Sequence, residues 1–193
     1  MSFNICLDTL PAEYEGYLIR TDFRIGMQIS LAMSDPDLDQ QEQLQTAISL
    51  LYGRGIPDLK TALEGLSWFM RCGQDVRKDL PKDDKQVVFY DFDSGRIWAS
   101  FKATFGIDLY REKMHWFEFC HLLSCCGEDT SISNAMKIRQ YSTKGLKGEE
   151  LSKLAAAKRA LQPPERLSEQ QKEQDNDFIS QMKQIGEVQH GTG

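Results

Sequence analysis

The stretch VFYDFDSGRIWASFKATFGIDLYREKMHWFEFCHLLSCC, residues 88–126, decides the fold. It carries two of the three Trp, two of the three His and three of the five Cys, so the densest core belongs here. Ile97, Trp98, Phe101 and Phe105 recur at helical spacing, and Asp91 or Asp93 can cap their helix. Gly106 ends it, and Ile107-Asp108-Leu109 makes a corner. A second helix is predicted over about 110–125, with Met114, Trp116, Phe117, Cys120 and Leu123 as a wide apolar arc, and Asp108 is placed to cap it. Two helices joined by so short a corner are expected to pack as a helical hairpin. Core packing is the expected use of Trp98, Phe101, Trp116 and Phe117.

Working outward, Thr21 or Asp22 caps a predicted helix running to about Met33, and Ser34-Asp35-Pro36 breaks it. A helix over about 38–52 presents Leu44, Ile48 and Leu51 on one face. Another begins near Asp58, with Leu59, Leu63, Leu66, Phe69 and Met70 as its stripe, and closes at Cys72-Gly73. Gly16 between Tyr14 and Tyr17 favours a short β-hairpin over a single helix from Pro11. Beyond the central stretch, a short helix starts at Ser131 or Ser133, and residues 149–161 have high helix propensity before Pro163-Pro164 stops them. The expected fold is therefore mainly α: a single multi-helix domain over 1–162, with an N-terminal β-hairpin. A charged linker-like segment at 74–87 lies inside the domain, and a flexible, disordered tail covers 163–193.

Composition narrows the function classes. Net charge is −6, which argues against a nucleic-acid binder needing a cationic surface. No apolar run approaches the roughly 20 residues that span a bilayer, so no membrane partner is expected. The odd cysteine count lacks a disulfide framework and fits reduced thiols.

Residues 115–126 tempt with His115, Cys120, His121, Cys125 and Cys126. Only His121 and Cys125, at i and i+4, share a helix face as metal candidates, and zinc requires four tetrahedral ligands. Small buried thiols are the better reading. Asp91, Asp93 and Asp108 are better placed as caps than as a carboxylate site. No nucleophile motif or phosphate loop occurs. Neither enzyme activity nor a cofactor is expected. Arg24 and Arg139, beside apolar positions, are predicted to pair with Asp91, Asp93 or Asp108.

The ordered motifs Tyr90-Asp91-Phe92-Asp93, Ile97–Phe101, Phe105–Leu109 and Met114–Phe119 resemble the bacteriophage gene-product-fifteen family. Asp22-Phe23-Arg24, Phe69–Gly73 and Ile138-Arg139 agree in place. The departures are Met114, where the family usually carries Leu before the His, and Phe117, where it usually carries a second Trp. The resemblance runs from Leu10 to about Leu161. It marks Tyr90, Asp91, Phe92, Trp98, Phe101, Asp108, His115, Trp116 and Phe117 as core and signature positions.

The resemblance implies a protein of the tail module in long-tailed phages and prophages of Gram-positive bacteria. Its implied role is a chaperone for the tape-measure protein, acting in the cytoplasm of the bacterial host cell. The alternative is a minor structural component retained in the virion tail. The implied partner is the tape-measure protein or other tail proteins, and homo-oligomerisation is left open.

Overall fold

The computed structural model describes residues 3–75 and 86–164. Among them the chain forms a two-stranded antiparallel hairpin and seven helices. The hairpin pairs β1 (Glu13–Tyr14) with β2 (Tyr17–Leu18), and Gly16 takes the positive φ its turn requires. The helices are α1 (Phe23–Ala32), α2 (Gln40–Tyr52), α3 (Leu59–Met70), α4 (Ser94–Phe105), α5 (Trp116–Ser124), α6 (Ser131–Gln140) and α7 (Gly148–Leu161). The expected mainly α architecture with an N-terminal hairpin is observed. The linker-like segment falls largely on residues 76–85 and the tail on 165–193, both outside the described residues.

Local chemistry sets most helix starts. Asp22 accepts from the Arg24 amide at 2.9 Å to open α1. Asp39 and Glu42 form a reciprocal capping box on α2, at 2.8 and 2.9 Å. Asp58 accepts from the Lys60 and Thr61 amides to open α3. Gly106, left-handed at φ 72°, ends α4.

The core converges on α5. Trp116, Phe117 and Phe119 are fully buried. Phe119 stacks between Phe23 of α1 and Phe101 of α4, with ring centroids 4.9 and 5.2 Å away. Phe117 meets Phe3, Trp68 and Phe69. Tyr90 sets its ring edge against Trp116. α1 lies close on α5 because Gly26 has no side chain; a Cβ there would fall inside the Trp116 indole.

Five expectations are corrected. The helix predicted over 110–125 begins only at Trp116. Before it, Phe23 N–H donates to the Met114 carbonyl (2.9 Å) and Trp116 N–H to the Thr21 carbonyl (2.8 Å). Met114 and His115 thus run as a bridge beside Asp22, not as a helical turn.

Nor do α4 and α5 form a hairpin: α4 packs chiefly on α6, and α5 chiefly on α1. Trp98 is 42% exposed rather than core. Its indole N–H donates to Asp108 at 3.0 Å, and the Lys102 ammonium sits 5.0 Å from its ring, so a polar edge and a cation satisfy it at the surface. Asp108 therefore caps no helix: it accepts from Trp98 and from the Tyr110 amide within a turn. The Trp98 hydrogen bond leads the contacts holding its carboxyl below the usual range. Arg24 pairs with its own neighbour Asp22 (3.1 Å), while its guanidinium donates to the carbonyls of Leu109 and Glu112, pinning the connection between α4 and α5.

The other expected arginine pair is present. Arg139, on α6, clasps Asp93 in bidentate fashion at 2.6 and 2.9 Å, both side chains excluded from solvent. Asp93 sits at the N-cap position of α4 yet makes no cap bond; its second oxygen accepts instead from the Phe89 amide. Arg139 also donates to the carbonyls of Val87 and Leu161. The guanidinium lies 4.9 Å from the Phe89 ring.

Removing one member of such a pair strands a buried charge. Arg139→Ala should lower unfolding free energy by about 3–5 kcal/mol. Arg139→Lys should not restore it, since an ammonium cannot fork. Arg96→Ala, which removes the partly exposed second cation on Asp93, should cost no more than about 1 kcal/mol. Urea unfolding of the three variants measures this, and equal losses for Arg96→Ala and Arg139→Ala would refute the ranking.

His115 is a second hinge of the fold. Its Nδ1 accepts the Phe117 amide at 3.0 Å, capping α5, and its Nε2 donates to the Pro11 carbonyl at 2.9 Å. Burial holds its pKa below the ordinary 6.5, against the pull of the Pro11 bond. A depressed base stabilises the fold fully above its unfolded pKa. That contribution drains away as pH falls through the folded value, where a protonated Nδ1 can no longer cap. His115→Asn keeps an acceptor that does not titrate, so its urea midpoint should fall less than the wild type's between neutral pH and pH about 5. Parallel pH curves would refute the assignment.

Candidate functional site

Two helices leave part of their apolar surface uncovered. On α2, Ala47, Ile48 and Leu51 are buried in the core, while Leu44, one turn before Ile48, is partly covered at its edge. On α3, Ala62, Leu66 and Phe69 face the core, while Leu59 and Leu63 form the matching edge row. Between the rows lies an open groove of about 870 Å³, closed at one end by Ile56 of the α2–α3 loop and rimmed by Asp39, Gln40, Gln41, Gln45 and Ser49. Leu59 is 70% exposed and Ile56 48%. Pro57 and the Asp58 cap fix where α3 starts, and so hold both beside α2.

The groove runs on into a second hollow of about 540 Å³, which shares Leu44 and Leu63 with it and adds Ile29, Met33, Leu66 and Met70. That hollow shares Ser30, Ser34 and Gln86 with a third, of about 250 Å³, whose wall includes Pro163 and Pro164. The depressions are most apolar at the wide end and less so where the described chain leaves the domain. Two parallel rows of aliphatic side chains at i, i+4 spacing suit the apolar face of an amphipathic helix. The Asp39 and Asp58 carboxylates are engaged in capping, so shape and apolar contact are what the groove offers.

The residues singled out from sequence lie elsewhere. Phe101, Trp116 and Phe117 are buried in the core. Tyr90 is half-buried against Trp116, and its phenol pKa is raised, by burial first. Phe92 is half-buried under the Arg96 guanidinium, and Asp91 lies at the surface beside the third hollow.

His121 and Cys125 are not brought together as ligands. The His121 ring bonds the Phe117 carbonyl at 2.7 Å through Nδ1, and Cys125 is exposed beside Ser124. The free thiol of Cys120 instead shares a hydrogen bond with the free thiol of Cys72, just beyond α3; that hydrogen bond, with burial, pushes the Cys120 thiol far up. Among the described residues no group of three or more His, Cys, Asp or Glu could hold a metal ion.

Sequence periodicity reads Leu44, Ile48, Leu59 and Leu63 as apolar stripes; Leu44, Ile48 and Leu63 do pack in or on the core, but Leu59 is exposed and the groove they share goes unread. One signal was available. An isoleucine in the Gly53-Arg54-Gly55-Ile56-Pro57 loop, three residues before another large aliphatic, puts more apolar surface at the start of α3 than a capped helix end needs.

No helix of the described residues is long and apolar enough to cross a membrane. No curated protein and no solved structure matches the chain. The family model described as Bacteriophage Gp15 protein matches residues 6–162, which takes in the hairpin, all seven helices and the groove. The chain belongs to the bacteriophage Gp15 protein family, and is a phage-related structural or tail-region protein.

Proposed function

We propose that the protein assists phage tail assembly by binding the tape-measure protein, and that the α2/α3 groove receives its helical segments. The observation that carries this is the open groove lined by Leu44, Ile48, Leu59 and Leu63, with Leu59 and Ile56 exposed at its mouth, in a chain of this family. A tape-measure protein is long and helical. Until tail subunits enclose it, its apolar faces need temporary cover. A groove open along its length can take one amphipathic turn after another and release each. The client is bound in the cytoplasm of the bacterial host cell, and the interaction needs neither catalysis nor a cofactor.

Co-expression with the tape-measure protein encoded beside it tests the reading. Wild-type protein should co-purify with that client and raise its soluble yield. Leu59→Asp should reduce the captured client about tenfold or more. Because Leu59 is exposed, the substitution should change stability by no more than about 0.5 kcal/mol. An unchanged client yield, or equal capture by Leu59→Asp, would rule out this use of the groove. Stoichiometric protein in purified virions would instead favour a minor structural component of the tail.

A further inference from the structure

We propose that residues Phe178–Ile185 of the same chain dock in the α2/α3 groove and occupy it until a partner displaces them. Three observations converge. The first is the sequence of the segment. Phe178, Met182 and Ile185 recur at i, i+4 and i+7, with Ile179 flanking, while Ser180, Gln181, Lys183 and Gln184 fall on the other side. Between Pro164 and Phe178 the only large aliphatic residue is Leu167. The segment is thus the concentrated apolar stripe of residues 165–193, at the spacing that two aliphatic helix rows accept.

The second is where the described chain ends. Arg139 holds the Leu161 carbonyl with two donors, at 3.0 and 2.6 Å, so the exit of α7 is fixed to the buried ion pair. Pro163 and Pro164 then line the smallest hollow, and shared residues carry that depression without a break to Leu44 and Leu63 at the groove. The third is reach. Fully extended, residues 165–177 span at most about 45 Å. A domain of this size has a radius of gyration of roughly 15 Å, so the segment can arrive anywhere along the path. A tether of this length supplies an effective concentration in the millimolar range, enough for a segment too weak to bind as a free peptide.

The consequence is a self-covered site. The groove stays shielded while no client is present, and a client binds with an affinity reduced by the fraction of time the segment is docked. The docking rests on the groove and the chain's own residues, and not on the identity of the client.

The test uses the full chain with the photoreactive analogue p-benzoylphenylalanine in place of Phe178, and mapping of the cross-linked peptides by mass spectrometry. Irradiation should join position 178 to residues 44–63 of the same chain, with a yield that does not change on dilution. A double change, Phe178→Asp with Met182→Asp, should speed amide hydrogen exchange in 44–63 several-fold. Cross-links between two chains that vanish on dilution would assign the groove to a second copy and overturn the proposal. So would cross-links elsewhere on the domain, no cross-links, or unaltered exchange. Intrachain cross-links into the groove support the docking even if the tape-measure protein fails to co-purify. Client capture without such cross-links overturns the docking alone.

Discussion

The fold depends on one buried ion pair, Asp93 with Arg139. Taking two charges out of water costs several kcal/mol per ion, and Coulomb attraction alone does not reliably offset it. Here every donor of the guanidinium is used: two on Asp93, one on Val87 and two on Leu161. The carboxylate is equally engaged, by Arg139, Arg96 and the Phe89 amide. Such a network adds less to stability than an apolar cluster of the same volume could. It ties α4 to α6 at one point, where the two charges meet. Its reach is wide: it joins the start of α4, the end of α6, the segment at 87–89 that leads into α4 and the last carbonyl of α7. Lys158 closes the set by donating to the Arg139 carbonyl at 2.9 Å.

With α4 committed to α6, the aromatic helix α5 is left to organise the rest. It buries Trp116, Phe117 and Phe119 in three directions, and α1 closes over it at Gly26. α2 then covers α1, and α3 covers the Phe117 side. The geometry leaves α2 and α3 each with one row facing inward and one row on the rim of a gap that no described element fills. The groove is thus a by-product of how α5 is surrounded.

Much of this was legible in the sequence because local rules and burial agreed. Asp22, Asp39 and Asp58 precede apolar-periodic runs, and each caps a helix. Gly106 closes α4, and Gly16 turns a hairpin. Arg139 beside Ile138 announced a buried cation, and its partner was among the acids named. The failures have specific causes. Helical spacing cannot tell a buried stripe from one edge of a groove, so Leu59 and Trp98 were assigned to the core. Residues 110–115 have no strong helix breaker, yet they are not helical. Backbone bonds from Phe23 and Trp116, and the Arg24 guanidinium, hold that stretch from across more than eighty residues of sequence. The same distant contacts turned the expected α4–α5 hairpin into two helices with different neighbours.

The groove's modest apolar content bears on how such a site can work. A buried Leu-, Met- or Phe-sized side chain contributes about 1.5–3 kcal/mol. Three of them supply roughly 5–9 kcal/mol, while association of two free molecules costs an estimated 4–15 kcal/mol. A single short helix in solution therefore gains little by entering. The balance changes when the helix is tethered, since most of the association cost has already been met by covalent attachment. It changes again when the helix is one of many along a single long client, because each release leaves the next segment close at hand. A site with strong intrinsic affinity could not be cleared by tail subunits arriving to enclose the client. Weak contact made effective by connection is what a temporary cover requires. The part-covered aliphatic edges of α2 and α3 supply contact of that strength.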